Sequence, residues 1–88
     1  MTVHARTRAL ERGIDEIDIE RIINFPAETI YSKYEENYVS YGLVVNQYTR
    51  ETRYLLIVHT ILNKSVKIIT VMWKDRVGLR NYGFKNNI

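Results

Sequence analysis

The chain has 88 residues, a formal net charge of +3 and no cysteine, which excludes disulfides, thiolate nucleophiles and thiolate zinc sites. This length makes one domain, residues 1–88, that buries roughly 60–65% of the surface its unfolded chain exposes. Because the longest aliphatic run, residues 55–58, is too short for a membrane span and no apolar signal-peptide core precedes it, we expect a cytoplasmic protein without a membrane partner.

A first helix is predicted at residues 3–12. Thr2 is a favourable N-cap residue, and Gly13 readily takes the left-handed conformation that ends a helix. At 100° per residue the apolar side chains of this segment fall on one side of the helix. They are Val3, Leu10 and Ile14. We expect that side to face the core.

A second helix is predicted at residues 16–24, with Asp15 as its N-cap. Ile14 and Ile19 have the spacing of a hydrophobic staple, and the acidic residues of the first turn favour the positive end of the helix dipole. The helix ends before Pro26, because the residue that precedes a proline avoids helical backbone geometry.

After the proline the apolar period changes from helical to two, which indicates strands. We predict strands at residues 29–34, 38–48, 54–62 and 66–73, with turns at 35–36, 50–52 and 63–64. Such short connections cannot be crossovers, so the strands form an antiparallel meander. The predicted fold class is α+β: two N-terminal helices packed on one face of a four-stranded antiparallel sheet, followed by residues 74–88 as a short tail or helix.

The clearest candidate for function is a basic row on the first helix. His4, Arg8 and Arg12 are spaced four residues apart, so they lie along one helix face. Like charges at this spacing repel by a few tenths of a kcal/mol, whereas an anionic partner explains them: arginine matches phosphate oxygens, and histidine transfers protons near neutral pH. The alternative is a solvated helix face on which an arginine pairs with Glu11 or Asp15.

His59 is a second candidate, because it interrupts an apolar strand. Alternation places it on the same side as Leu55, Ile57 and Ile61. A histidine in this setting is either a hydrogen-bonded core residue or, where it projects into a groove, a second acid–base group.

A second basic cluster follows the last predicted strand. It combines an aromatic side chain with cations: Trp73, Lys74, Arg76 and Arg80. This combination suits single-stranded RNA, whose bases stack on rings and whose phosphates meet cations. The alternative is a polar tail in which Trp73 caps the core. Because the chain lacks metal-ligand spacings and glycine-rich phosphate loops, we expect no metal and no cofactor.

The opening motif His4-Ala5-x-x-Arg8-x-x-x-Arg12-Gly13-Ile14 resembles that of a widespread prokaryotic family of small domains of unknown function. That family looks related to the BrnT and RelE-type toxins of toxin–antitoxin modules, which are compact α+β ribonucleases that act without metal. Residues 54–60 resemble the penultimate strand of BrnT-like toxins. In those toxins an arginine-rich segment that ends in tyrosine comes after the last strand, and Arg76, Arg80 and Tyr82 stand in that region here.

The resemblance implies a type II toxin: a metal-independent endoribonuclease that acts on free or ribosome-bound mRNA and is covered by an acidic antitoxin. Such cleavage needs a base, an acid and fixed cations at the phosphate. We assign Arg8 and Arg12 to the phosphate, His4 to one proton transfer, and His59 or Tyr82 to the other.

The remaining candidates are side chains that would contact RNA without reacting: Arg6, Lys67, Trp73, Lys74, Arg76 and Arg80. The alternative function is a non-catalytic nucleic-acid-binding or protein-interaction module that uses the same basic surface for affinity. The sequence leaves the oligomeric state and the RNA sequence preference open.

Overall fold

The computed structural model describes residues 1–85 of the chain. Two helices, α1 (Val3–Glu11) and α2 (Glu16–Asn24), precede the strands β1 (Glu28–Ser32), β2 (Asn37–Val45), β3 (Thr52–Leu62) and β4 (Ser65–Lys74), and helix α3 (Arg76–Tyr82) follows. The α+β class and the two N-terminal helices beside a four-stranded antiparallel sheet are as predicted. No helix within residues 1–85 has the length and apolar character needed to cross a membrane.

The caps of the first two helices form as predicted. The side chain of Thr2 accepts a hydrogen bond from the backbone N–H of Ala5 at 3.0 Å, and Asp15 accepts one from the N–H of Ile17 at 3.0 Å. Each satisfies a donor that the first turn of a helix leaves without a partner. Gly13 follows α1 with a φ of +64°, a conformation that glycine adopts without steric cost.

The buried side of α1 differs from the prediction. Val3 and Leu10 are 83% and 85% exposed, whereas Ala5 and Ala9 are buried. Of the three predicted core residues, Ile14, which follows the helix, is buried. Helix α1 lies along the edge strand β4, and Thr2 bonds directly to that strand through its backbone N–H (to Ile68) and its hydroxyl (to Ile69). Because the backbones approach so closely, only small side chains fit between them. Contact with the sheet therefore decides the buried side.

The sheet is a meander with the order β1-β2-β3-β4, and each pair of neighbouring strands is antiparallel. The β3–β4 turn is the predicted one, with Asn63 and Lys64 at φ values of 51° and 63°, as a two-residue hairpin requires. Strand β2 ends at Val45 instead of residue 48, because the Asn46 side chain accepts hydrogen bonds from the N–H groups of Tyr48 and Thr49 and turns the chain.

The sheet is covered on both faces, whereas the alternation in the sequence predicted one covered face. Helices α1 and α2 pack on the face that carries Leu55 and Ile57. Helix α3 and Phe84 pack on the face that carries Leu56 and Val58. Strand β3 is therefore buried on both sides, which explains its continuous apolar run. The predicted tail or helix at residues 74–88 contains α3, and its last part, residues 86–88, lies outside the described residues.

Candidate nucleic-acid interface

The two arginines of the basic row have different environments. Arg8 forms an exposed ion pair with Glu11 at 2.8 Å, which is one of the pairings that the sequence allowed. Arg12 donates through Nη1 to the backbone oxygen of Val71 at 2.6 Å. The carbonyl oxygen of Arg12 accepts a hydrogen bond from the indole N–H of Trp73 at 2.8 Å. Arg12 therefore joins the end of α1 to β4, and His4 and Arg8 remain at the surface of the helix.

These hydrogen bonds bring the two predicted basic clusters together. Trp73 lies near the end of β4, and its neighbour in the sheet is the start of β3. There the guanidinium carbon of Arg53 lies 4.0 Å from the centroid of the Trp73 ring, a cation–π contact. Arg53 is not among the side chains that the sequence predicted to contact RNA. The alternation of side chains along β3 is the signal that indicates it. Arg53 lies two residues before Leu55, the register partner of Trp73, and so projects from the same face of the sheet.

A cleft of about 420 Å³ opens beside this stacked pair. Its lining residues come from the start of β3 and the end of β4: Thr52, Arg53, Tyr54, Trp73, Lys74, Asp75 and Arg76. The carboxylate of Asp75 caps α3 by accepting from the N–H of Gly78 at 2.7 Å. The cleft is therefore lined by three cationic side chains, Arg53, Lys74 and Arg76, and by one carboxylate, which is already hydrogen-bonded to α3. We call Arg53, Trp73, Lys74 and Arg76 the Trp73 surface.

The groove on the other side of Trp73 has a different charge. It is also lined by Arg53, but Asp15, Asp18 and Glu51 contribute carboxylates to its walls. Of the two grooves that Trp73 lines, the one that also contains Lys74 and Arg76 is therefore the more cationic, and a polyanion would be attracted to it.

His59 lies in the core instead of a groove. It is 9% exposed, and its Nε2 lies 2.8 Å from the hydroxyl of Ser40, which in turn lies 2.6 Å from the hydroxyl of Thr29. Its Nδ1 is buried without a hydrogen-bond partner among residues 1–85. Burial lowers the pKa of His59, so the neutral imidazole is favoured.

Tyr82, the last residue of α3, lies on the opposite face of the sheet. Its hydroxyl donates to Oε1 of Glu35 at 2.9 Å. Burial, together with the hydrogen bond and the negative charge of Glu35, raises the pKa of Tyr82 to about 12. A phenol with this pKa keeps its proton at neutral pH. The structure therefore does not bring together His4 on the surface of α1, His59 under the α1/α2 layer and Tyr82 at the end of α3.

The other predicted RNA contacts are spread over the molecule. Arg6 lines a groove together with Glu16 and Glu20 of α2, so acidic groups surround it. Lys67 stands six residues before Trp73 on β4, roughly 20 Å away along the strand. Arg80 is exposed on α3. Among residues 1–85, no group of three His, Cys, Asp or Glu side chains is arranged to hold a metal ion.

Comparison with known proteins identifies a family but no activity. A family model described as a domain of unknown function, DUF4258, matches residues 1–73, which include α1, α2 and most of the sheet. No curated protein and no solved structure is significantly similar to the chain. The expectation of a small domain family of unknown function is confirmed, since the model covers more than half of the 88 residues. The chain therefore belongs to the DUF4258 family.

Proposed function

We propose that the domain binds single-stranded RNA through the Trp73 surface. The observation that carries this proposal is the stacking of Arg53 on Trp73 at 4.0 Å, in a cleft that Lys74 and Arg76 also line. Bases stack on aromatic rings and guanidinium planes, and lysine and arginine contact the phosphates. This combination suits an unpaired strand better than a duplex, whose bases are stacked on one another.

The strand lies in the cleft that Lys74 and Arg76 line, because carboxylates line the other groove beside Trp73. If Arg53, Lys74 and Arg76 each neutralise one phosphate, the logarithm of the binding constant falls with a slope of about −2 against the logarithm of the salt concentration. Binding through stacking alone would show a much weaker dependence on salt.

The cellular role that we propose is that of a type II toxin. The support for it is that the domain family whose opening motif the chain resembles looks related to BrnT and RelE-type toxins, and that residues 54–60 resemble the penultimate strand of BrnT-like toxins. In this role an acidic antitoxin covers the cationic Trp73 surface, and the target is free or ribosome-bound mRNA in the cytoplasm. Expression without an antitoxin should then arrest growth, and normal growth at high expression would count against the role.

Metal-independent cleavage of RNA is a second candidate function. The observation that favours it is the exposure of His4 one helical turn from Arg8, which lies at the surface of the same helix in an ion pair with Glu11. His4 would take the proton of a ribose 2′-hydroxyl, and Arg8 would contact the phosphate. The wide separation of His4, His59 and Tyr82 favours binding without cleavage, because general acid and base must both reach the reacting atoms.

The binding test uses the single tryptophan of the chain as its probe. Titration with oligouridylate should quench the fluorescence of Trp73. The double variant Arg53→Gln/Arg76→Gln should bind about tenfold more weakly and show a shallower salt slope. The matched control is Lys64→Gln/Lys67→Gln, which also removes two positive charges but at the far end of β4. Equal losses in the double variant and the control would refute a site at Trp73.

The cleavage test incubates RNA with the protein in the presence and absence of EDTA. If His4 transfers a proton, wild type cleaves in EDTA, and His4→Ala loses on the order of 10²–10⁴-fold in rate while its thermal unfolding is unchanged. Thr7→Ala on the same helix is the control. Full activity of His4→Ala removes the assignment, and retention of RNA without any product leaves the non-catalytic module as the function.

A further inference from the structure

A second cleft opens between the β1–β2 turn and α3. Its volume is about 450 Å³, and its lining is aromatic and basic: Tyr31, Ser32, Lys33, Tyr34, Lys74, Asn81 and Tyr82. We call it the α3 cleft. Its volume falls within the range of small-molecule sites. Among its lining residues only Lys74 also belongs to the Trp73 surface.

The aromatic walls of the α3 cleft offer flat surfaces to a ligand. Tyr34 is 89% exposed, so its ring is open to a partner. Tyr82 is half-buried, and its hydrogen bond to Glu35 at 2.9 Å fixes the ring at one position. The cleft thus combines one accessible ring with one ring held in place, and a nucleobase can stack on aromatic rings.

Two lysines, Lys33 and Lys74, give the α3 cleft a positive charge that suits an anionic ligand. The stem of Lys74 passes over Gly78, where an added Cβ would lie 3.0 Å from Lys74 Cδ. Because glycine has no side chain there, the ammonium group of Lys74 reaches 5.6 Å from the centroid of the Tyr82 ring. Lys33 lines the same cleft. The carboxylate of Glu35 accepts the Tyr82 hydrogen bond and that of Asp75 caps α3, so both ammonium groups can serve an anion.

We infer that the α3 cleft binds one nucleotide, with its base against Tyr34 and Tyr82 and its phosphate between Lys33 and Lys74. The nucleotide is either one residue of a bound RNA strand or a free mononucleotide, since both present the same flat base and phosphate. The first source rests on the proposed RNA-binding function, because Lys74 lines both clefts and would connect them along one strand. The second source does not depend on it.

The test follows backbone amide resonances of the ¹⁵N-labelled full chain during titration with uridine 5′-monophosphate. The expected result is a shift of amides in the β1–β2 turn and at the end of α3. Tyr34→Ala should weaken this binding about tenfold, which is the loss expected for one stacked base. Tyr34→Phe should bind like wild type, because stacking needs the ring and not the hydroxyl. Lys33→Gln should also weaken binding, whereas Lys64→Gln in the β3–β4 turn should not.

A second titration with oligouridylates distinguishes the two sources. If the nucleotide belongs to a strand, the amides of the α3 cleft and the indole N–H of Trp73 shift with one midpoint, and affinity rises with strand length. If it is a free mononucleotide, uridine monophosphate shifts the cleft amides and longer strands bind there no better.

Failure of the inference is distinguishable from failure of the RNA-binding proposal. Absence of shifts in the α3 cleft with every uridylate, or equal shifts in wild type and Tyr34→Ala, would overturn the nucleotide site whatever the Trp73 indole does. If the amide resonances of the α3 cleft shift but the indole N–H resonance of Trp73 does not, RNA binding at the Trp73 surface is refuted and the nucleotide site is retained.

Discussion

Arg8 and Arg12 are equivalent in the sequence pattern but have different roles in the structure. Arg8 pairs with Glu11 in solvent, where an ion pair contributes little because water screens it. Arg12 donates to the carbonyl of Val71 at the edge of the sheet, and this hydrogen bond connects parts of the chain that are distant in sequence.

We therefore expect Arg12→Ala to lower the free energy of unfolding by about 1–2 kcal/mol, in the range of hydrogen bonds made by charged groups. Arg8→Ala should change it by less than about 0.5 kcal/mol. Urea denaturation of both variants measures the difference. Equal effects would mean that the Arg12–Val71 contact contributes nothing in solution.

His59 should make the stability of the fold depend on pH. Burial lowers the pKa of His59 in the folded chain, so below about pH 6.5 the unfolded chain binds more protons at this residue than the folded chain does. The contribution of the neutral imidazole is fully present above that pH and is lost as the pH falls through the lowered pKa of the folded state.

The comparison with His59→Gln isolates this effect, because every other titrating group is shared. Between pH 7 and pH 5 wild type should lose more unfolding free energy than the variant does, as followed by urea denaturation at several pH values. Parallel pH profiles for the two proteins would show that His59 does not titrate differently on folding.

Helix α1 depends on the residue that precedes it. Thr2 accepts from the N–H of Ala5, and its hydroxyl also donates to Ile69 in β4 at 3.2 Å. The same side chain thus caps the helix and hydrogen-bonds a carbonyl of the edge strand β4. Unpaired carbonyls at a sheet edge can otherwise pair with another chain.

We expect Thr2→Ala to cost about 1–2 kcal/mol of stability, the upper part of the range for an N-cap, because a second hydrogen bond is lost with the cap. Thr7→Ala in the same helix is the control, since the Thr7 hydroxyl bonds only to the exposed Val3 carbonyl of its own helix. Thermal unfolding that ranks the two variants in the opposite order would contradict this account of α1.

Helix α2 approaches the sheet where β2 carries a glycine. A Cβ built on Gly42 would lie 2.6 Å from Cγ1 of Ile22, closer than any non-bonded contact allows. Ile22 is fully buried, so it cannot move into solvent to make room.

Gly42→Ala should therefore destabilise the protein by about 1–3 kcal/mol through overpacking. Ile22→Ala should cost about 2–5 kcal/mol through the cavity it leaves. Because the added methyl group fills part of that cavity, the double variant should lose less than the sum of the two. Strict additivity in urea denaturation would mean that the two side chains do not meet.

The two apolar clusters share one sheet, so we expect the molecule to unfold in a single transition. Leu55 and Ile57 belong to the cluster under α1 and α2, and Leu56 and Val58 to the cluster under α3. Because these side chains alternate along β3, the same strand contributes to both clusters. Neither cluster can therefore unfold while the other stays intact. Trp73 fluorescence and the near-ultraviolet circular dichroism of the tyrosines should follow the same urea curve. Separate midpoints would show that α3 unfolds independently.

Most of the fold can be predicted from signals between residues that are close together in the sequence. The caps Thr2 and Asp15, the stop at Gly13 and the turn at residues 63–64 act through bonds within a few residues, so they can be recognised without any tertiary contact. The short connections likewise left an antiparallel meander as the sheet order.

Contacts distant in sequence decided the rest. Val3 and Leu10 are apolar, but only Ala5 and Ala9 are small enough for the close approach of α1 to β4. The pairing of Arg53 with Trp73 depends on strand register. The sequence by itself thus determined the elements and the basic, aromatic chemistry, because these depend on neighbouring residues. Only tertiary structure decided which side chains meet, because packing and register are set by the whole sheet.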